Sequence, residues 1–101
     1  MSSRLVVTRA GMPDRRVPLY EGMPLVVGRG METGVTVPDE EGLSRRHAVV
    51  RLRDGQVRVE RLPEAQGSVF KDGKAEEAFQ LAPGESFLIG RTRFVFEADA
   101  A

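Results

Sequence analysis

Gly or Pro breaks this chain about every 8–12 residues, and between the breaks Val, Leu, Ile or Phe alternates with polar residues in short runs. Period-two alternation gives each run one apolar face, which suits a strand over a core and not a helix. Runs of this length at this spacing predict an all-β antiparallel sandwich or barrel. Strands are expected near 4–8, 15–19, 25–28, 35–37, 48–53, 57–62, 69–71, 79–81, 86–89 and 93–97. Asp54-Gly55 and Asp72-Gly73 mark tight hairpins, and Pro83-Gly84 reads as a type II turn with Gly supplying the positive φ. Gly90-Arg91-Thr92 closes the last hairpin. Only 74–78 has helical character, and it is too short to stand without packing. Val57 with Val59, and Phe94 with Phe96, are core candidates because each pair shares a face.

A chain of 101 residues is read as one domain, residues 1–101, with a core of its own. It has no Cys, which excludes disulfides and thiolate zinc and fits a cytoplasmic setting. No apolar run reaches the length of a membrane span, and Met1-Ser2-Ser3-Arg4 opens without a signal-peptide core, so neither membrane insertion nor a leader is expected. Lys plus Arg equals Asp plus Glu at 15 each, which argues against a generic nucleic-acid binder. All the basic residues except Lys71 and Lys74 are Arg, the better bidentate partner for phosphate or carboxylate.

Two stretches interrupt the strand pattern, 38–47 and 63–68, and long loops on a rigid scaffold are where binding residues sit. Several motif-like patterns fail on spacing. Gly28-Arg29-Gly30 with Gly34 lacks the dinucleotide spacing, and Gly67 to Gly73-Lys74 is one residue too long for a phosphate-binding loop and puts Ala75 at the magnesium position. His47 is the sole His, so a multi-His metal site is excluded, and no metal or cofactor is expected. Ser44 and His47, three apart on one loop, make a poor catalytic pair, and no catalysis is expected. His47 reads as a buried imidazole bonded to loop backbone. Asp39-Glu40-Glu41 lacks calcium-loop spacing and reads as a solvated acidic turn.

The local signal with chemistry is Leu43-Ser44-Arg45-Arg46-His47, with Val27-Gly28-Arg29 ahead of it. If the two loops met at one end of the sandwich, two guanidiniums and a hydroxyl would converge as a site for a phosphate dianion. The residue types alone do not bring the loops together. Arg46 reads as solvated or structural.

With Gly28-Arg29, Ser44-Arg45-Arg46-His47, Leu81-Ala82-Pro83-Gly84-Glu85, Phe87-Leu88-Ile89-Gly90 and Phe94-Val95-Phe96, the chain resembles a forkhead-associated (FHA) domain over nearly its whole length. The resemblance implies an eleven-strand sandwich that binds phosphothreonine peptides through loops at one end. It implies that Arg29 and Ser44 contact phosphate, that Arg45 contacts phosphate or peptide, that His47 braces the loops and that Gly28 allows close packing ahead of Arg29. The implied partner is a phosphothreonine-containing protein, a Ser/Thr kinase or its substrate. Such domains are commonly attached to kinases, transcription regulators or secretion components, so a larger regulatory parent is in keeping with the resemblance.

One element departs from the family. Its second binding loop usually holds Asn-Gly, with the Asn gripping the peptide backbone, and this chain contains no Asn. Either Gln66-Gly67, followed by Ser68, stands in that place or the loop is shortened. The alternative function is a phosphate-independent scaffold or self-association module on the same fold. The missing Asn motivates it, as does an acidic run whose carboxylates are placed to pair with Arg45 or Arg46.

Overall fold

The computed structural model describes residues 3–30, 34–37 and 40–98. Within them the chain forms eleven strands: β1 (Ser3–Arg9), β2 (Met12–Leu19), β3 (Leu25–Gly28), β4 (Val35–Thr36), β5 (Ala48–Arg53), β6 (Gln56–Arg61), β7 (Phe70–Lys71), β8 (Lys74–Ala75), β9 (Ala78–Leu81), β10 (Ser86–Ile89) and β11 (Thr92–Ala98). Two sheets carry them, ordered β2-β1-β11-β10-β7-β8 and β4-β3-β5-β6-β9. The paired strands run antiparallel except β3 and β4, which are parallel in the register Val27↔Val35 and Gly28↔Thr36. Among the described residues no helix is long and apolar enough to cross a membrane.

The alternating faces meet between the sheets. Val57, Val59, Phe94 and Phe96 are fully buried, joined by Leu5, Val27, Val50, Phe87 and Ile89. Phe87 and Phe94 stack with ring centroids 4.8 Å apart, and Phe79 meets Phe87 edge-on at 5.9 Å. The hairpin turns follow their residues. Asp54 and Gly55 both have positive φ, as do Asp72 and Gly73, which is the backbone that matches strand twist.

The helical character of 74–78 is not realised, in keeping with a stretch too short to stand alone. Lys74 and Ala75 pair with Lys71 and Phe70 across the Asp72-Gly73 turn, and Ala78 pairs with Glu60. Lys-Ala-Glu-Glu-Ala has good local helix propensity, but two sheet edges claim its backbone, and propensity is the weaker term.

The acidic turn is also corrected. Glu40 is buried and its carboxylate accepts hydrogen bonds from Gly42 N at 3.0 Å, Arg91 N at 2.9 Å and Thr92 Oγ1 at 2.8 Å. It ties the loop after β4 to the β10–β11 turn. Burial alone raises its carboxyl pKa, but the bonds from Gly42, Thr92 and Arg91, with the charge of Arg9, outweigh it and hold the group below the usual carboxylate range. Glu41 is exposed, as expected for a solvated turn, and Asp39 lies outside the described residues.

Candidate functional site

The backbone joins the two loops. Past the end of β3, Arg29 N donates to Ser44 O and Gly30 N to Arg45 O, both at 3.0 Å, while His47 N donates to Val27 O at 2.8 Å. The segment leading into β5 is therefore laced along the residues leaving β3. This contact places Arg29, Ser44 and Arg45 at one end of the sandwich, where they line a cleft of about 700 Å³ with Glu41, Gln66 and Gly67. The convergence that the residue types left open is built by main-chain pairing.

The approach needs Gly28. A Cβ there would lie 2.1 Å from Arg45 O and 2.7 Å from Arg45 C. Gly28 is not among the positive-φ glycines, so space and not backbone freedom is what the residue supplies.

Ser44 ties in the second loop. Its Oγ accepts a hydrogen bond from Gln66 N at 2.8 Å, which leaves its own proton to donate outward. The guanidinium of Arg61 reinforces that loop, donating to Gly67 O at 2.7 Å and to Ala65 O. Arg46 and Glu64, which also line the cleft, pair at 3.4 Å. The pairing of the acidic run with Arg46 that the alternative function drew on is thus not formed by Glu40 or Glu41. Arg29 and Arg45 are exposed, and among the described residues no acidic group pairs with the Arg29 guanidinium.

His47 sits behind the cleft with no exposed surface. Its Nδ1 accepts from Ser44 N at 3.0 Å, so the neutral ring carries its proton on Nε2. Nε2 is buried near the Gly67–Ser68 backbone, close enough for those groups to favour the proton, but makes no hydrogen bond of acceptable geometry. Burial pushes the imidazole below its usual pKa; the Ser68 backbone opposes this, Arg61 adds to it and the Gly67 backbone again opposes it. A Cβ on Gly67 would lie 3.1 Å from His47 Cε1, so the second loop rests directly on the ring. The imidazole meets the Ser44 backbone, while Ser44 Oγ is engaged with Gln66, so these two residues form no Ser–His relay.

Removing this brace is expected to cost stability. His47→Ala should lower it by about 1–3 kcal/mol, since Ser44 N loses a buried acceptor. Because folding keeps the ring neutral, the unfolded chain takes up the proton first as pH falls through the ordinary imidazole pKa. Stability should therefore decline as pH drops below about 6.5 in the parent protein, and the imidazole's share of that decline should vanish in the variant. Urea unfolding at pH 7 and pH 5.5 measures both. A variant that unfolds like the parent yet binds nothing would make His47 a direct contact.

Of the residues singled out from sequence, Arg29, Ser44, Arg45, Gln66 and Gly67 meet at the cleft; Ser68 is exposed but does not line it. The exposed Gln66 side chain makes no hydrogen bond among the described residues; its backbone N–H holds Ser44. Three parts escaped sequence reasoning: the Glu40 anchor, the Arg61 brace and the Arg46–Glu64 pair. Arg61 had a signal, because alternation in β6 puts it on the inward face of Val57 and Val59.

The sequence pattern of the FHA domain matches residues 25–90, well over half the chain. No curated relative matches in sequence. Among solved structures, the FHA domain of a Chlamydia trachomatis protein superposes with a TM-score of 0.87 at 22% identity, covering 99% of this chain and 100% of that one. A structure from work on phosphothreonine-dependent FHA domain interactions gives 0.82 at 22% identity and covers 100% of both. Mycobacterium tuberculosis EmbR, in complex with a low-affinity phosphopeptide, gives 0.80 at 22% identity, covering 99% of this chain and 25% of that one.

Proposed function

We propose that this chain, which belongs to the FHA domain family, is a phosphothreonine-binding module that recruits a phosphorylated protein in Ser/Thr kinase signalling and has no catalytic role of its own. The observation that carries the reading is the Arg29–Ser44 and Gly30–Arg45 backbone pairing, which sets two guanidiniums and a donor hydroxyl around one cleft. A phosphate dianion offers three acceptor oxygens and nearly two charges to that donor set. The likeness to FHA structures studied with phosphothreonine or phosphopeptide ligands supports the same ligand class. Arg29 and Arg45 would hold phosphate, Ser44 would donate to one of its oxygens, and Gly28 and His47 would set the loops.

Calorimetric titration with a phosphothreonine peptide, its unphosphorylated form and its Glu-substituted form tests this. Binding of the first alone is expected, because a carboxylate carries one charge and a different oxygen geometry. Equal affinity for the Glu peptide would overturn it.

The peptide-backbone grip is expected to be weak. Gln66 offers the amide of the family Asn on a stem one methylene longer, which costs more rotamer entropy to fix. Losing one or two neutral hydrogen bonds of about 0.5–1.5 kcal/mol each weakens binding about twofold to a hundredfold, so a peptide that an intact grip would hold at about 1 μM is expected to bind this chain on the order of tens of micromolar. Gln66→Asn should tighten binding and Gln66→Ala should change it little. A tenfold loss for Gln66→Ala would show that Gln66 already grips the backbone, and a submicromolar parent would refute weak binding.

A further inference from the structure

We propose that Glu41 is a specificity-determining residue that selects phosphothreonine peptides bearing an arginine or lysine near the phosphothreonine; this rests on the phosphate reading above. The turn that presents Glu41 is closed by Leu43 N donating to Glu40 O at 3.1 Å, which leaves Glu41 and Gly42 at its centre. Both ends are sunk in the protein, with Glu40 2% and Leu43 1% exposed. The Glu40 carboxylate is held by Gly42 N, Arg91 N and Thr92 Oγ1. Gly42 lies so near the β10–β11 turn that a Cβ on it would be 2.9 Å from Gly90 Cα. A four-residue turn pinned at its first, third and fourth positions presents the second in one place. That residue is Glu41, exposed and on the wall of the cleft with Arg29, Ser44 and Arg45.

The surrounding charges decide what this carboxylate attracts. Arg46 and Glu64, which also line the cleft, are paired with each other, so their fields largely offset. Arg29 and Arg45 answer the phosphate. Glu41 has no cation paired with it among the described residues, and it stands beside a ligand that is itself a dianion. An acidic flank on the peptide meets repulsion there, whereas a cationic flank reaches a carboxylate held in position by the turn. Exposed pairs of this kind are weak, so the preference is a factor of about two to five and falls as salt rises.

The test uses one phosphothreonine peptide with Arg, Ala or Glu scanned through the flanking positions, titrated against the parent, Glu41→Gln and Glu41→Lys at low and moderate salt. Thermal melts of all three should coincide, since the side chain is exposed. The parent should favour Arg over Ala at one or two positions and disfavour Glu there; Glu41→Gln should flatten the preference and Glu41→Lys should reverse it. A parent indifferent to flanking charge, or an Arg preference that survives in Glu41→Gln, overturns the assignment while leaving the phosphate reading intact. Failure of every phosphopeptide to bind overturns that reading, and this one with it.

Discussion

Arg29→Ala is expected to weaken phosphothreonine peptide binding tenfold to a hundredfold while leaving the melting temperature unchanged. The fold effect is small because Arg29 contributes to the loop junction through its backbone: Arg29 N bonds Ser44 O, and alanine keeps that amide. The side chain itself is exposed, with no acidic partner among the described residues, so deleting it orphans nothing. The binding effect is large because a hydrogen bond to a charged group is worth about 1.5–3 kcal/mol, which converts to the stated range. Arg29→Lys should recover only part of it, since an ammonium keeps the charge and loses the planar fork. Ser44→Ala makes a useful contrast. It removes the proposed phosphate donor and also the acceptor for Gln66 N, so it should loosen the second loop as well as the ligand. Calorimetry alongside thermal melts separates the two effects. Unchanged affinity in Arg29→Ala would take this residue out of the site.

The parts of the molecule readable from sequence are those set by neighbours along the chain. The inward pairs Val57 with Val59 and Phe94 with Phe96 follow from period two, and the Asp54-Gly55 and Asp72-Gly73 turns follow from the positive φ those residues tolerate. The Gly-Arg and Ser-Arg-x-His motifs named the cleft residues. What stayed hidden depends on contacts distant in sequence. Glu40 belongs to a locally acidic turn and is buried only because Arg91 and Thr92 come to it from the last hairpin. The segment 74–78 carries helix-forming residues whose backbone is claimed by β7 on one side and β6 on the other. Arg61 lies on an inward position, but its role appears only once the loop over residues 63–68 folds back to lay two carbonyls against the guanidinium. Sequence likewise had no means to show that the Arg29 and Ser44 segments pair, because the pairing is made by backbone atoms that every residue has.

That pairing makes Gly28 the position where the smallest substitution should do the most damage. Gly28 ends β3, is buried, and sits in register with Thr36 on one side while its other flank faces the Ser44–Arg45 backbone. One methyl group at Gly28 would stand 2.1 Å from Arg45 O and 3.0 Å from Ser44 O. Neither atom belongs to a flexible side chain that can swing aside. The main chain must move, and it is held there by Arg29 N to Ser44 O, Gly30 N to Arg45 O and His47 N to Val27 O. Overpacking of this sort costs about 1–3 kcal/mol, and each strained or broken backbone bond adds about 0.5–1.5 kcal/mol. Gly28→Ala should therefore lose on the order of 3 kcal/mol of stability and about 10 °C or more in Tm. Among molecules still folded, the Ser44–His47 segment must stand off from Arg29, so phosphopeptide affinity should fall further than in Arg29→Ala, although no ligand-contacting side chain has changed. Amide exchange should report the displacement as faster exchange at Arg29, Gly30 and His47, with the hairpin of β5 and β6 still protected. A Gly28→Ala protein with the parent's Tm and affinity would mean that the two loops yield without cost, and the close backbone contact would then not be what assembles the site.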